Sequence, residues 1–310
     1  NPNDVESRPE GIQKADLLLT ADQIRAGLAG NLADYTFTGF DGTEVTGAGV
    51  DYNGAPTGYT EDPQEVINYA SAHDNETMFD LIQFKAPLDT SMEDRVRMQE
   101  LAISLVGYSQ GVPFFHAGIE MLRSKDGDKD SYNSGDWFNA LDFSYATNGW
   151  GEGLPVAAKN TDRWDILRPL LADPDLVPDE VHIRRTVVHF LETLEVRGSS
   201  PLFRLQTATD VIDRVRFHNT GPDQVPGVIV MSISDETGTD LDPNHELIVV
   251  VFNATLAGQA FTIEEFADRD LASHPVLADS IDPITASSSV ADGTMTVPPL
   301  TTAVFVVPEG

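Results

Sequence analysis

The spacing of apolar residues changes near residue 201, and no other feature of the sequence constrains the fold as strongly. Before this point apolar residues such as Ile183 and Val187 recur at helical spacing. After it, short strand-like segments are separated by turns rich in Gly, Pro and Asp, which is typical of an antiparallel β-sandwich. Those segments are the alternating stretch 211–217 and the apolar runs 228–233, 247–252 and 303–307. The change predicts an α/β part over 1–198 followed by an all-β part over 199–310.

The α/β part contains a strand–helix–strand pattern. Its predicted elements are a helix near 14–33, a long loop over 36–63, a buried strand at Val66–Ala70, a helix capped at Thr90 or Ser91, and a buried strand over 111–118. Asp94 follows Ser91 at the spacing of a capping box. Because strand–helix–strand units build parallel sheets, we expect Val66–Ala70 and Val112–Phe115 to be neighbours in one sheet.

The charge of the chain excludes some classes of partner. Its 50 acidic and 19 basic residues give a net charge of −31, which repels nucleic acid and anionic membranes and suits a neutral substrate. No apolar run reaches the length needed to cross a membrane. The absence of cysteine excludes disulfides and thiolate metal sites. The first residues carry no signal-peptide pattern, so composition leaves the location of the protein unknown.

An acidic segment, Asp126-Gly127-Asp128-Lys129-Asp130, raises the possibility of calcium binding. The spacing of an EF-hand fails, because Ser131 stands where Gly is needed and Trp137 where Glu is needed. We therefore predict a solvated acidic loop, with no metal ligands and no cofactor.

The polar triplet His73-Asp74-Asn75 follows the strand predicted at Val66–Ala70. In an α/β barrel, polar groups at the carboxyl end of a strand lie where active sites are built. The alternative is that the triplet forms a local turn or caps the next helix.

Three blocks of sequence resemble bacterial type I pullulanases, which are debranching enzymes of the α-amylase superfamily. The first is Val-Ile-Asn-Tyr-Ala-Ser-Ala-His-Asp-Asn-Glu-Thr-Met-Phe-Asp at 66–80. The others are 111–125 continuing into 131–139, and 200–205 leading to 215–222. The resemblance implies the seventh and eighth strands of a (β/α)8 barrel with their flanking helices, and then a C-terminal β-sandwich. It also implies hydrolysis of α-1,6 branch links in pullulan, starch or glycogen, with retention of configuration.

The resemblance also implies roles for individual residues. Asp74 corresponds to a carboxylate that stabilises the oxocarbenium-like transition state, and His73 to a hydrogen-bond donor to a sugar hydroxyl. Asn75 is expected to contact substrate as part of the same triplet. Asp136, Trp137 and Asn139 follow the eighth strand, where a sugar platform could form. Trp137 either stacks on a glucosyl ring or is a buried aromatic.

The sequence departs from the family pattern in one respect. The family's nucleophile lies in a string like Asp-Gly-Phe-Arg-x-Asp, which does not occur in these 310 residues, and the strand of the general acid precedes the matched region. The resemblance therefore implies about a quarter of a barrel plus the C-terminal domain. We expect the upstream part of the same enzyme to be a partner and this chain alone to be inactive.

Three further expectations follow from the resemblance. The substrate is an α-glucan, the location is extracellular or at the cell surface, and calcium could bind elsewhere in the parent enzyme. Two alternatives remain at this point. One is a non-catalytic module for α-glucan binding or assembly, and the other is a different superfamily enzyme such as an isoamylase or a branching enzyme.

Overall fold

A computed structural model describes residues 8–310 as a mixture of helices and mainly antiparallel strands. The helices are α1 Glu10–Leu28, α2 Met78–Lys85, α3 Met92–Gly107, α4 Asp136–Asn139, α5 Ala157–Asn160, α6 Trp164–Leu171, α7 Glu180–Ser199, α8 Ala208–Arg214 and α9 Pro275–Ala278. The first seven strands are β1 Thr36–Thr38, β2 Glu44–Thr46, β3 Asp51–Tyr52, β4 Ala55–Pro56, β5 Ile67–Asn68, β6 Val112–Pro113 and β7 Val215–Phe217. The remaining strands are β8 Val228–Ser234, β9 His245–Asn253, β10 Gln259–Thr262, β11 Ala272–Ser273, β12 Ser289–Ala291, β13 Thr294–Val297 and β14 Thr301–Pro308.

The described residues form two compact units that are interleaved along the chain. The first unit contains Tyr69–Ile103 and Phe115–Leu191. The second unit contains Arg8–Asn68, Ser104–Phe114 and Glu192–Gly310. The domain boundary predicted between residues 198 and 199 stays a prediction.

The second unit contains a five-stranded antiparallel sheet in the order β11-β14-β9-β8-β7 and a three-stranded antiparallel sheet in the order β10-β13-β12. Successive residues of β8, β9 and β14 are buried in two different apolar clusters. One cluster takes Ile229, Met231, Val250 and Val304, and the other takes Val228, Val230, Val249 and Phe305. Because side chains alternate between the faces of a strand, both faces of the large sheet are covered. The predicted strands at 228–233, 247–252 and 303–307 are confirmed.

The strand predicted over 211–217 is wrong in its first half. Residues 208–214 form helix α8, and only Val215–Phe217 form a strand. Thr207 caps the helix, because its Oγ1 accepts a hydrogen bond of 3.1 Å from the Asp210 N–H. This local cap outweighs the apparent alternation of apolar residues.

The beginning of the second unit differs from the prediction in its boundaries and its loop. Helix α1 starts at Glu10 and ends at Leu28, since Gly30 and Asn31 adopt positive φ angles. The segment predicted as a long loop instead holds two short hairpins, β1–β2 and β3–β4. The turn of β3–β4 is Asn53-Gly54, with φ angles of 53° and 86°, and Asn-Gly is the preferred sequence for such a turn.

The predicted parallel pair is confirmed, although its strands are short. Ile67 pairs with Val112 and Asn68 with Pro113 in a two-stranded parallel sheet. The prediction of buried strands is wrong at these positions, because Ile67 is 59% and Val112 is 43% exposed. Among residues 8–310, no other strand is hydrogen-bonded to either of the two.

The first unit has its own apolar core, to which α2, α3, α6 and α7 contribute. It contains Phe79, Phe84, Val96, Met121, Trp150, Leu167 and Ile183. The predicted cap at Ser91 is confirmed, since its Oγ accepts from the Asp94 N–H at 3.1 Å. The Ser91 hydroxyl also donates to the Asp94 carboxylate at 2.9 Å. The helix predicted from Ile183 and Val187 is confirmed as α7. Within the described part of the chain, no helix combines the length and apolarity that a membrane span requires.

Candidate functional site

The triplet after β5 forms an exposed turn in the first unit. The Asp74 side chain is 83% exposed, and its Oδ1 lies 3.1 Å from Nδ1 of His73. Asn75 has a φ of 61°, a left-handed conformation that asparagine tolerates better than most residues. Helix α2 is capped by Thr77, whose Oγ1 accepts from the Asp80 N–H at 3.1 Å. Because Thr77 makes the cap, the Asp74 carboxylate is not used for it.

Two lysines of the loop that follows β6 hold the main chain of this turn. The Nζ of Lys125 donates hydrogen bonds to the carbonyl oxygens of His73 and Asn75, at 3.0 and 2.9 Å. The Asn75 N–H donates to the carbonyl oxygen of Lys129 at 3.0 Å. The triplet is therefore fixed to the loop 124–130 by three hydrogen bonds, all within the first unit.

Asp80 fixes the other side of that loop. Its buried carboxylate accepts from Ser124 Oγ at 2.6 Å and from the Lys125 N–H at 2.8 Å. Burial raises the pKa of Asp80, and the hydrogen bonds from Ser124 and Lys125 oppose that shift. Burial lowers the pKa of Lys125, while the nearby Asp80 carboxylate acts in the opposite direction.

The acidic segment is buried, so the prediction of a solvated loop is wrong. Asp126 accepts from the N–H groups of Gly151 and Gly153 at 2.7 and 2.8 Å. Burial raises the pKa of Asp126 to about 6, against the effect of these two hydrogen bonds. Asp128 accepts from Ser134 Oγ at 2.5 Å and from Asn160 at 3.0 Å.

These carboxylates thus serve as internal acceptors that organise the loop. Over the range 8–310, no three His, Asp or Glu side chains are arranged to hold a metal ion.

His116 lies beside the site as a buried histidine. It is buried between Ser71 Oγ and Arg123 Nη1, each 3.1 Å from a ring nitrogen. Burial lowers the pKa of His116 to about 4, and Arg123, Lys125 and His73 add to the shift. Since arginine can only donate, the Nε2 atom of the neutral ring accepts from Arg123.

The remaining predicted residues share one short helix, α4. Asp136 is exposed and Trp137 is 49% exposed, so the interpretation of Trp137 as a buried aromatic is wrong. Its ring lies against Phe138, with centroids 3.7 Å apart. Asn139 has internal partners: its Nδ2 donates to the Ser131 carbonyl at 3.1 Å, and its Oδ1 accepts from the Ser131 hydroxyl at 3.2 Å.

Sequence reasoning missed the buried lysine and carboxylates that hold the turn. Lys125 and Asp80 are charged residues, and charged residues are usually exposed. No spacing signal distinguishes them from the exposed Lys85.

Comparison with known proteins identifies the family. Residues 145–308 match the family described as "Alpha-1,6-glucosidases, pullulanase-type, C-terminal". The chain is 48% identical to "Pullulanase 1, chloroplastic" of Arabidopsis thaliana, over 98% of this chain and 32% of that protein. It is 38% identical to the pullulanase of Klebsiella pneumoniae, over 94% of this chain and 27% of that protein. The chain belongs to the pullulanase-type α-1,6-glucosidase family.

A solved structure has the same fold. The crystal structure of Klebsiella pneumoniae pullulanase complexed with maltotriose matches all of this chain and 29% of that protein, with a TM-score of 0.93 and 37% identity. The chain therefore spans about a third or less of the length of the relatives it matches.

Proposed function

We propose that this chain supplies part of the active site of a retaining glycoside hydrolase that cleaves α-1,6 branch links in pullulan, starch or glycogen. Strands β5 and β6 would be the seventh and eighth strands of a (β/α)8 barrel, within a domain over 1–198. Residues 199–310 would form a C-terminal antiparallel β-sandwich. The observation that carries this proposal is the exposed Asp74 carboxylate on a turn that follows β5 and is fixed to the loop after β6.

The exposed apolar residues of the parallel pair support a barrel completed by other strands. Ile67 is 59%, Phe114 48% and Val112 43% exposed. Two strands cannot close a barrel, and paired strands with exposed apolar side chains favour association with further strands. The proposed partner at this edge is the upstream part of the same enzyme.

The chemistry assigned to Asp74 is electrostatic. Retaining glycosidases use a nucleophilic carboxylate and an acid/base carboxylate about 5–5.5 Å apart, and the family motif of the nucleophile is absent from these 310 residues. Asp74 would be a third carboxylate that stabilises positive charge developing on the sugar. His73, 3.1 Å from Asp74, would donate to a sugar hydroxyl.

The other predicted contacts are to the rest of the glucan. The half-exposed ring of Trp137 offers a face for a glucosyl ring, and the exposed Asp136 offers an acceptor for hydroxyl groups. Asn75, in the same turn as His73 and Asp74, would also contact the substrate. Asn139, whose amide is bonded to Ser131, would act by holding this loop in place. The match to a pullulanase-type family favours α-1,6-glucosidase activity over that of an isoamylase, a branching enzyme or a non-catalytic module.

The test is Asp74→Ala in the full-length enzyme that carries this region. We expect kcat and kcat/KM on pullulan to fall together by several orders of magnitude, because a transition-state contact is removed. The unfolding temperature should change little, since the Asp74 side chain is exposed. Asp89→Ala, which changes another exposed aspartate of the first unit, is the matched control and should retain normal turnover.

Two results would contradict the proposal. One is near-normal turnover of pullulan by the Asp74→Ala enzyme. The other is release of reducing sugar by the purified 310-residue chain alone. The purified chain should be inactive, because a covalent nucleophile and a general acid each require a positioned carboxylate. Activity should return when the upstream polypeptide is supplied.

A further inference from the structure

Lys125 is buried in a way that lysine rarely is. Its residue is 1% exposed, whereas lysine is almost never fully buried unless its charge is partnered. The two hydrogen bonds of its Nζ go to main-chain carbonyl oxygens, those of His73 and Asn75. Burying an ammonium group costs free energy, so packing alone does not account for a buried lysine at this position.

The two carbonyl groups lie on either side of Asp74 in the chain. The Lys125 ammonium group therefore holds the peptide unit before Asp74, through the His73 carbonyl at 3.0 Å, and the peptide unit after Asn75, through the Asn75 carbonyl at 2.9 Å. The peptide unit between Asp74 and Asn75 carries the Asn75 N–H. The positive φ of Asn75 and its N–H bond to the Lys129 carbonyl fix the same turn from the other side. With the flanking peptides fixed, the direction of the Asp74 Cα–Cβ bond is fixed too.

The Asp74 side chain itself has little to hold it. It is 83% exposed, and its hydrogen bond is to the equally exposed His73. Lys125, in contrast, is tied into the protein interior through the bond from its own N–H to the buried Asp80. The rigidity of the interior is thus transmitted to the exposed carboxylate through the Lys125 ammonium group.

We propose that Lys125 is a positioning residue, which holds the turn 73–75 so that the Asp74 carboxylate points to the reacting sugar. The inference rests on the function proposed for Asp74. Lys125 does not contact substrate in this scheme; it acts through the turn 73–75, and mainly through the position of the Asp74 carboxylate.

The test is Lys125→Met in the full-length enzyme, with pullulan as substrate. A misplacement of a catalytic group by about 1 Å can lower the rate by about 10²-fold, and we expect a loss of that order, mainly in kcat rather than KM. Lys125→Gln keeps one amide donor for a carbonyl and should show a smaller loss. Lys85→Met, the same change at an exposed lysine of the first unit, is the control and should have normal kcat.

A double-mutant comparison separates positioning from general loss of structure. In an Asp74→Asn enzyme, whose residual turnover is measured at high enzyme concentration, Lys125→Met should cost little more, because its effect acts through the Asp74 carboxylate. Equal losses with and without Asp74 would overturn the inference, as would normal kcat in Lys125→Met. If Lys125→Met does not fold, Lys125→Gln decides by the same comparison. Normal turnover of the Asp74 variant would instead overturn the proposed function itself.

Discussion

The large sheet of the second unit and the loop 124–128 of the first unit are built from different kinds of buried residue. In the second unit, β8, β9 and β14 have alternating apolar side chains that fill clusters on both faces of one sheet. In the first unit, the loop 124–128 is built around buried charged residues, namely Asp80, Lys125, Asp126 and Asp128. The first unit also carries the exposed triplet 73–75.

An apolar interior and an interior of hydrogen-bonded charged groups suit different functions. Apolar burial is strong but non-directional, and apolar cores tolerate changes that conserve volume. Hydrogen bonds to buried charged groups are directional, and each unmet partner is costly. A site that must hold a carboxylate in one direction needs the second kind of support, and the candidate site lies where that support is found.

The largest stability effect is expected in the apolar sheet of the second unit. Phe305 is fully buried on β14, opposite Val249 of β9. Phe305→Ala should lower the free energy of unfolding by about 3–5 kcal/mol, because it removes apolar contacts and leaves a cavity. Denaturant unfolding measures the loss, with the exposed Phe143→Ala as a control expected to fall within about 0.5 kcal/mol. A loss below about 1 kcal/mol for Phe305→Ala would break the comparison.

A smaller effect on stability, but a larger effect on local order, is expected at Asp80 in the first unit. Asp80→Asn keeps the shape but turns an amide toward one of the donors now bonded to the carboxylate, Ser124 Oγ or the Lys125 N–H. Leaving such a donor unmet costs about 1–3 kcal/mol. Hydrogen exchange should become faster at residues 124–128 and leave β9 unchanged. Equally faster hydrogen exchange in residues 124–128 and in β9 would show that Asp80 does not stabilise the loop independently of the rest of the protein.

The apolar strands of the second unit were easier to predict from the sequence than the rest of the fold. The strands at 228–233, 247–252 and 303–307 could be predicted, because burial of both strand faces requires nearly continuous apolar runs. The parallel pairing of β5 and β6 followed from the predicted helix at α3, which together with α2 lies between them. The failure at 211–217 came from a cap, Thr207, whose local hydrogen bond set the start of a helix.

The candidate site could be predicted only in part. The triplet 73–75 and the residues Asp136, Trp137 and Asn139 were predicted as site residues, because a resemblance supplied their roles. The buried Lys125 and the buried Asp126 could not be found, since a charged residue in a polar loop carries no sequence signal of its partners. Asp126 binds N–H groups 25 and 27 residues farther along the chain, and such long-range bonds are set by the fold rather than by local spacing.

The two units are also expected to differ in their response to acid. In the second unit, Nδ1 of the buried His274 accepts from the Val276 N–H at 3.3 Å and caps α9. Burial lowers the pKa of His274 to about 4, from an ordinary value of 6.5, and the nearby His245 adds to the shift. Protonation of Nδ1 would also remove the acceptor of the cap. The unfolded chain therefore takes up this proton first as the pH falls.

The stability that His274 contributes is present above pH 6.5 and is lost as the pH falls through 4. Asp126 in the first unit has the opposite sign, because its folded pKa of about 6 lies above the ordinary 3.8. Its contribution is present below pH 3.8 and is lost as the pH rises through 6. In His274→Asn, asparagine keeps a cap acceptor but does not titrate. The slope of unfolding free energy against pH between 4 and 6.5 should fall by up to about 1.4 kcal/mol per pH unit.

Urea unfolding at pH 4.5, 5.5 and 6.5 measures this slope, and Asp126→Asn should change it in the opposite direction. An unchanged slope in His274→Asn would mean that the histidine titrates alike in the folded and unfolded chain. Burial in the second unit would then not disfavour the charged form of this histidine. The comparison of the two units would have no support from their pH dependence.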